Sequence, residues 1–279
     1  MGEVGGVGKL VVGCGYLGRR VAQRWRAEGH RVFATTRRPE RAAELRAAGI
    51  EPVVCDVLSP DSLRALPDAD TVAYCVGLDR SAGVPMRKVY VDGLANVLAE
   101  RAWPRFVYVS STGVYGQSDG SEVDETAATE PTEEPGRVVL EAERLLRELL
   151  AGAVVLRFGG IYGPGRLIGS RALLRGEPIT GDPDRWLNLI HVEDGAAAVV
   201  AATERGRPGA VYNVCDDGPV RRRDFYALLA RLLGAPPHRF AAPLRPEGAG
   251  RRVVNRRLRE ELAVALRYPS YAEGLPASL

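Results

Sequence analysis

Two short stretches of this 279-residue chain, near residues 13–18 and 109–116, contain residues whose types and spacing could bind a cofactor or catalyse a reaction. In the first, Gly13, Gly15 and Gly18 form the pattern G-x-G-x-x-G directly after an apolar run. Such glycines permit a tight turn, a close approach of the backbone to a pyrophosphate, and close packing of a helix on a strand. The pattern predicts a dinucleotide site in which the start of the next helix faces the phosphates.

The end of the second predicted strand discriminates between the two nicotinamide dinucleotides. An acidic residue there binds the ribose hydroxyls of NAD, whereas an arginine accommodates the additional phosphate of NADP. The chain has Thr36, Arg37 and Arg38 at this point and no carboxylate between His30 and Glu40. NADP(H) is therefore the expected cofactor, and NAD is the less favoured alternative.

The elements that must position these residues follow from the hydrophobic pattern. From Lys9 onward, short β-branched runs alternate with segments of helical periodicity, which predicts an α/β fold of the Rossmann type with a doubly wound parallel sheet. The predicted strands lie at 9–13, 31–35, 51–57, 71–77, 105–111 and 153–159, and helices at about 40–48, 87–101 and 138–150. The acidic, proline-containing stretch 116–136 predicts a long surface loop.

The chain is expected to divide near residue 159, where glycine and proline become frequent. We expect residues 9–158 to form the NADP-binding domain and 159–279 to form mainly a smaller C-terminal substrate lobe. About 188–214 is expected to return to the first domain. The glycine-rich residues 1–8 are expected to be a flexible tail.

Composition restricts the class of partner. Lys and Arg exceed Asp and Glu by only three and the charges are scattered, so we expect a small-molecule substrate and neither nucleic acid nor a membrane. The four cysteines show no C-x-x-C spacing, which favours a reduced cytoplasmic protein with no metal site. The chain has neither the apolar stretch of a signal peptide nor an apolar run of membrane-spanning length.

The stretch "VSSTGVYG" at 109–116 resembles the extended short-chain dehydrogenases/reductases, the NAD(P)-dependent epimerase/dehydratase family. Similarity extends along nearly the whole chain through "GCGYLG", "RFGGIYGPGR", "NLIHVEDGAAAVVAA" and "YNVCDDG". The resemblance implies that Ser111 is the catalytic hydroxyl, which hydrogen-bonds the reacting oxygen of the substrate, and that Tyr115 shapes the same site. It also implies that Arg166 and His191 face the substrate or support the lobe interface.

The cofactor residues follow from the glycine motif, the end of the second strand and the resemblance, which implies an adenine contact after the third strand. They are Gly13, Gly15, Tyr16, Leu17, Gly18, Thr36, Arg37, Arg38, Asp56, Val57, Val76 and Gly77.

The chain departs from the family at its catalytic pair, a tyrosine that acts as acid or base and a lysine four residues later. Alignment of the helix "LEAERLL" puts Pro135 and Val139 at these positions. No Y-x-x-x-K occurs anywhere, because neither Lys9 nor Lys88 has a tyrosine four residues before it. A tyrosine without a cationic helper has a pKa of about 10 and is a poor base at neutral pH. The chain therefore resembles the atypical branch of the family, which lacks this pair.

Two functions from different classes stay open at this point. The first is an NADP(H)-dependent oxidoreductase or epimerase for a small polar carbonyl or sugar-like substrate, using Ser111 with Tyr16, Tyr115 or Tyr162. The second is a non-catalytic NADP(H)-binding sensor or regulatory protein, which the missing pair favours. We favour the enzyme because "GIYGPGR" and "NLIHVED" are typical of a substrate cleft. The identity of the substrate and the oligomeric state do not follow from the sequence.

Overall fold

The computed structural model describes residues 8–242 and 248–279. The strands are β1 Lys9–Val12, β2 Val32–Thr36, β3 Glu51–Val54, β4 Thr71–Tyr74, β5 Arg105–Ser111, β6 Asp119–Val123, β7 Val154–Phe158, β8 Gly160–Tyr162, β9 Ile179–Thr180, β10 Trp186–Leu187, β11 Leu189–His191, β12 Val211–Val214, β13 Val220–Arg221, β14 Phe240–Ala241 and β15 Gly250–Val253. The α-helices are α1 Tyr16–Ala27, α2 Arg41–Ala47, α3 Pro60–Leu63, α4 Gly93–Glu100, α5 Glu134–Leu149, α6 Ser170–Leu174, α7 Val192–Arg205, α8 Arg222–Leu233, α9 Arg256–Glu260 and α10 Tyr271–Gly274. A π-helix, Lys88–Asp92, leads directly into α4.

Seven strands form one parallel sheet in the order β12-β7-β5-β4-β1-β2-β3. The chain winds outward from β1 to β3 and then returns to β4 on the other side, so the order reverses between β1 and β4. Ligands of open parallel sheets bind at the carboxyl ends of the strands at such a reversal. The predicted Rossmann-type fold is confirmed, and each of the six predicted strands lies in this sheet.

Helices cover both faces of the sheet, which explains the continuous apolar runs of the central strands. On one face α1 packs against α7, and α1 buries Leu17, Val21 and Trp25 at four-residue spacing. On the other face α4 and α5 cover the sheet around residues such as Leu94 and Leu146. The strands are thus held from both sides, and their carboxyl ends form a rigid edge.

The C-terminal half forms a further apolar cluster around α8, which includes Tyr162, Phe225 and Leu229. Short strand pairs surround it, among them β8 with β11 and β10 with β13. Between β11 and β13 in the chain, β12 returns to the edge of the large sheet. The proposed division near residue 159 stays a prediction.

Two expectations about local structure were wrong. Within the predicted loop 116–136, β6 pairs in parallel with β15, more than a hundred residues away, and a local pattern cannot reveal so distant a partner. The helix predicted at about 138–150 begins earlier, since α5 starts at Glu134. Pro135 is compatible with its first turn, where backbone N–H groups have no partner within the helix.

Gly8 was included in the predicted tail, but it is buried and its carbonyl accepts a hydrogen bond from the backbone N–H of Asp70 at 3.1 Å. Residues 1–7 of that tail lie outside the described residues. Among the helices of the described ranges, none combines the length and the apolar character needed to cross a membrane.

Candidate cofactor and active site

A cleft of about 690 Å³ lies at the carboxyl ends of β1 to β5. The sequence-predicted site residues that line it are Gly13, Gly15, Tyr16, Leu17, Thr36, Arg37, Arg38, Asp56, Val57, Val76, Gly77, Ser111 and Arg166. Gly18, Tyr115 and His191 are not among the lining residues. Predicted residues at the ends of five strands, β1 to β5, therefore meet in one cleft.

Packing requires glycine at two positions, one in the turn between β1 and α1 and one in the first turn of α1. Gly13 has a φ of +91°, which favours glycine, and a Cβ there would lie 2.7 Å from the backbone nitrogen of Val76. A Cβ on Gly18 would lie 2.3 Å from the carbonyl oxygen of Gly13. The Thr35 hydroxyl holds the turn by accepting a hydrogen bond from the Gly13 N–H at 2.8 Å. The first and third glycines thus shape the turn and let the helix approach it.

The second glycine, Gly15, differs from the other two. Its φ of −89° is ordinary, and a Cβ added to it would meet no described atom within 4 Å. It precedes α1, whose N-cap residue provides no side-chain cap for the first amides of the helix, and Gly15, Tyr16 and Leu17 all line the cleft. This open cradle at a helix N-terminus fits a pyrophosphate.

The end of β2 presents two arginines to the cleft. Thr36 orders the turn, since its hydroxyl oxygen accepts a hydrogen bond from the N–H of Arg38 at 3.2 Å. Nη2 of Arg37 lies 3.4 Å from Oδ2 of Asp79, and Nη2 of Arg38 lies 3.9 Å from the same oxygen. The carboxylate of Asp79 does reach this site, although no carboxylate occurs between His30 and Glu40 in the sequence.

The loops that follow β3 and β4 complete this end of the cleft. Asp56 and Val57 line it, and Oδ1 of Asp56 accepts a hydrogen bond from the N–H of Leu58 at 2.9 Å. Val76 and Gly77 line the cleft after β4, where the Val76 backbone lies against the glycine turn. These loops add backbone and apolar surface to the cleft wall.

The opposite end of the cleft contains Ser111, at the end of β5. Its Oγ accepts a hydrogen bond from the N–H of Gly113 at 3.0 Å, which leaves the hydroxyl proton to donate elsewhere. Helix α5 begins against this turn, since a Cβ on Gly136 would lie 2.3 Å from the carbonyl oxygen of Gly113. Pro135 and Val139 therefore line the cleft together with Ser111, and neither side chain can exchange a proton.

Tyr115 does not face the cleft, and its predicted place in the site needs correction. Its hydroxyl donates to Oδ1 of Asn213 at 2.8 Å and accepts from Nη1 of Arg157 at 3.1 Å. Arg157 forms a buried ion pair with Glu143, which also accepts a hydrogen bond from Ser110. Burial raises the pKa of Tyr115 despite the nearby guanidinium. The tyrosine is turned inward because it completes this buried network.

Tyr16 brings a hydroxyl to the cleft wall near Arg166. The guanidinium carbons of Arg20 and Arg166 lie 4.3 and 5.5 Å from the centre of its ring. Burial raises the pKa of Tyr16, and the two arginines oppose that rise. Its hydroxyl donates to the carbonyl oxygen of Pro164 at 3.0 Å. Tyr16 is thus a tyrosine of the cleft in a cationic setting.

His191 and Tyr162 lie behind Tyr16 and are fully buried. Nδ1 of His191 accepts a hydrogen bond from the N–H of Glu193 at 3.2 Å, and burial lowers the pKa of the imidazole. Its Nε2 has no hydrogen-bond partner among the described groups. Both Nε2 and the Tyr16 hydroxyl lie within 3.3 Å of the point where a Cβ on Gly163 would sit. His191 therefore adjoins Tyr16 without lining the cleft.

Sequence reasoning missed three residues of this region. Thr35 anchors the glycine turn, Asp79 pairs with the arginines, and Tyr90 lines the cleft from the π-helix and accepts a hydrogen bond from the N–H of Leu78 at 3.3 Å. Irregular helical turns are frequent at functional sites, but no sequence pattern predicts this one. For Thr35 the only available signal was its position near the end of a strand beside the glycine turn.

No group of three or more His, Cys, Asp and Glu side chains suited to a metal ion occurs within 8–242 and 248–279. All four cysteines are free, and three of them are buried.

Comparison with known proteins gives a consistent result. The sequence model of the NAD dependent epimerase/dehydratase family matches residues 9–215. Protein YeeZ of Escherichia coli (strain K12) is 33% identical over 93% of this chain and 95% of its own. The 3-diazoavenalumate denitrifying reductase of a Streptomyces species is 30% identical over 95% and 98%. The solved structure of MoeE5 with UDP-glucose and NAD is 25% identical, covers 97% of each chain and has a TM-score of 0.83.

Proposed function

Because the chain belongs to the NAD-dependent epimerase/dehydratase family, we propose that it is an NADP(H)-dependent oxidoreductase or epimerase. Its proposed substrate is a small polar carbonyl or a sugar-like compound, free or nucleotide-linked. The observation that carries the proposal is that the glycine turn, the two arginines after β2 and Ser111 line the same cleft. A dinucleotide extended from the turn toward Ser111 would bring its nicotinamide to the catalytic end.

The residues present fit this cofactor. Gly15 leaves open space beside the first amides of α1, which suits a pyrophosphate. Arg37 and Arg38 would hold the additional phosphate through charge-assisted hydrogen bonds. When bound, the cofactor would supply a hydride to the substrate or accept one from it. The protein must then bind the reacting oxygen and move its proton.

Ser111 is proposed to bind the reacting oxygen. Its Oγ already accepts the Gly113 N–H, so its own O–H is oriented away from that bond and can donate to a substrate oxygen. A donor fixed in this way stabilises negative charge that develops on the oxygen during reduction.

Tyr16 is proposed to supply or accept the proton. Of Tyr16, Tyr115 and Tyr162, it is the one that lines the cleft. The guanidinium groups of Arg20 and Arg166 stabilise a tyrosinate electrostatically, the task that the missing lysine performs in relatives. Arginine cannot relay the proton itself, because it stays protonated. Arg166, at the same wall, is proposed to contact the substrate.

The printed names of the relatives support the two chemical classes in this proposal. One relative is called a reductase, and MoeE5 was solved with UDP-glucose and NAD. A small-molecule substrate is therefore the proposed partner. We also propose a cytoplasmic location, in keeping with the free cysteines.

A second function is favoured by one observation. Pro135 and Val139 line the cleft at the positions that the resemblance assigns to the catalytic pair. A protein that kept the cofactor site and lost this pair could act as a non-catalytic NADP(H) sensor.

A turnover screen separates these functions. The protein is incubated with NADPH and panels of aldehydes, ketones and nucleotide sugars, while NADPH consumption and product isomers are measured. The enzyme proposal requires turnover of at least one compound, and that turnover must fall in Ser111→Ala but not in Ser121→Ala, a serine outside the cleft lining. Tight NADPH binding without turnover in any panel would support the sensor instead.

A further inference from the structure

A carboxylate from the far side of the cleft reaches the two arginines after β2. Asp79 belongs to the loop that follows β4, whereas Arg37 and Arg38 follow β2, and these two strands flank β1 in the sheet. The distances to Oδ2 of Asp79 are 3.4 Å from Arg37 and 3.9 Å from Arg38. The contact therefore joins the two walls of the cleft on either side of the glycine turn.

The Asp79 carboxylate is held in this orientation by its own loop. Its Oδ1 accepts hydrogen bonds from the N–H of Ser81 at 3.1 Å and from the Ser81 hydroxyl at 2.6 Å. Asp79 thereby caps the short 3-10 helix Arg80–Ala82. These hydrogen bonds lower the pKa of Asp79, so the group is charged at neutral pH. Because Ser81 engages Oδ1, Oδ2 is the oxygen presented to the arginines.

The same arginines are the proposed ligands of the cofactor's 2′-phosphate, so carboxylate and phosphate compete for them. A phosphate monoester carries about −1.5 to −2 charge near pH 7. A phosphate bound to these arginines would be repelled by the carboxylate that contacts the same guanidinium groups. NADP must displace Asp79 from the guanidinium groups, whereas NAD has no phosphate to place there. We infer that Asp79 is a specificity-determining residue that reduces the preference for NADP(H) over NAD(H) created by Arg37 and Arg38. This inference rests on the proposed function.

The substitution Asp79→Asn tests the inference with little change in shape. The amide oxygen can still accept the Ser81 N–H, while the competing charge is removed. Exposed ion pairs are weak, so we expect NADPH to bind about fivefold more tightly and NADH to change less than about twofold. Isothermal titration calorimetry measures both. Asp61→Asn is the matched control, since Asp61 pairs with Arg64 outside the cleft lining and loses the same charge.

Two smaller ligands separate this inference from the proposed function. Adenosine 2′,5′-bisphosphate carries the 2′-phosphate and AMP does not, so only the first should bind more tightly to Asp79→Asn. The gain should disappear in the double variant Arg37→Ala/Asp79→Asn relative to Arg37→Ala. Unchanged affinities, or weaker binding of both NADPH and NADH, would overturn the inference while NADP binding stands. If neither the wild-type protein nor Asp79→Asn binds NADPH or adenosine 2′,5′-bisphosphate, the proposed function is overturned as well.

Discussion

The two ends of the cleft differ in how much of the family's sequence pattern they retain. At the end that contains the glycine turn, Gly13 and Gly18 occupy positions where a Cβ would collide with backbone, so packing alone requires glycine there. At the catalytic end, Pro135 and Val139 line the cleft without any chemical function of their own. The comparison indicates that a residue required by packing stays recognisable in the sequence. A residue required only for catalysis can be replaced without disturbing the fold.

The network behind the catalytic end supports this distinction. Glu143 lies four residues after Val139 on α5, and it forms a bidentate ion pair with Arg157 at 3.0 and 2.7 Å. Both groups are buried, and removing one partner of such a pair is strongly destabilising. The helix that carries Pro135 and Val139 is therefore held in place independently of the residues that it presents to the cleft.

Substitution of Gly15 by valine should produce the largest effect, at the cofactor end. A Cβ at this position meets no described atom within 4 Å, so we expect the fold to survive, while the valine side chain would fill the space proposed for the pyrophosphate. We expect NADPH affinity to fall by more than about 100-fold, because several phosphate contacts are lost together. Calorimetric titration measures this, and native circular dichroism checks the fold. Gly152→Val, equally free of contacts, is the control, and retained NADPH binding would show that the turn is not the phosphate site.

Substitution of Ser111 by alanine tests the other end. If the protein is an enzyme, turnover should fall by about 10² or more, as loss of one positioned donor at a developing charge commonly causes. NADPH affinity should change little, because the glycine turn and the arginines are intact. Steady-state kinetics and calorimetry measure the two quantities. Robust turnover that is indifferent to this change would contradict the proposed site.

The large sheet could be predicted because its strands are local apolar runs. The six predicted strands can be recognised from their own residues alone, and their parallel orientation follows from the alternation with helices. The pairing of β6 with β15 could not be predicted, because its stability comes from a partner far along the chain. The start of α5 at Glu134 was missed because proline was taken as a sign of a loop, although it is compatible with a first helical turn.

The site was predictable where function depends on backbone shape. The glycine turn follows from spacing alone, but the carboxylate of Asp79 reaches Arg37 from a residue 42 positions later. Tyr115 shows the opposite error, since its motif suggested the site and its side chain points into a buried network. Which way a side chain faces depends on tertiary partners, which a single motif does not contain.

Tyr16 and Tyr115, two of the three tyrosines considered for catalysis, are expected to differ in whether their hydroxyl serves turnover or stability. Tyr16→Phe should lower turnover by about tenfold or more and cost less stability than Tyr115→Phe, because Tyr16 lines the cleft and its hydrogen bond to the carbonyl oxygen of Pro164 is exposed. Tyr115→Phe should instead lower the free energy of unfolding by about 1–3 kcal/mol, because Arg157 and Asn213 lose a buried partner. Turnover and urea denaturation of both variants test this. A catalytic loss in Tyr115→Phe at full stability would reverse the assignment.

The smallest expected effect is the cofactor preference at the end of β2. We expect NADPH to bind at least about tenfold more tightly than NADH, since charge-assisted hydrogen bonds to the 2′-phosphate contribute about 1.5 to 3 kcal/mol. Arg37→Ala should remove most of this preference, because Arg37 is the less exposed of the two arginines. NADH affinity should stay unchanged, because NADH carries no 2′-phosphate. Raising the salt concentration should weaken NADPH binding more than NADH binding, because half-exposed charges are screened. Equal affinities for the two cofactors, or a preference for NADH that survives Arg37→Ala, would refute the assignment of this end of the cleft to a 2′-phosphate.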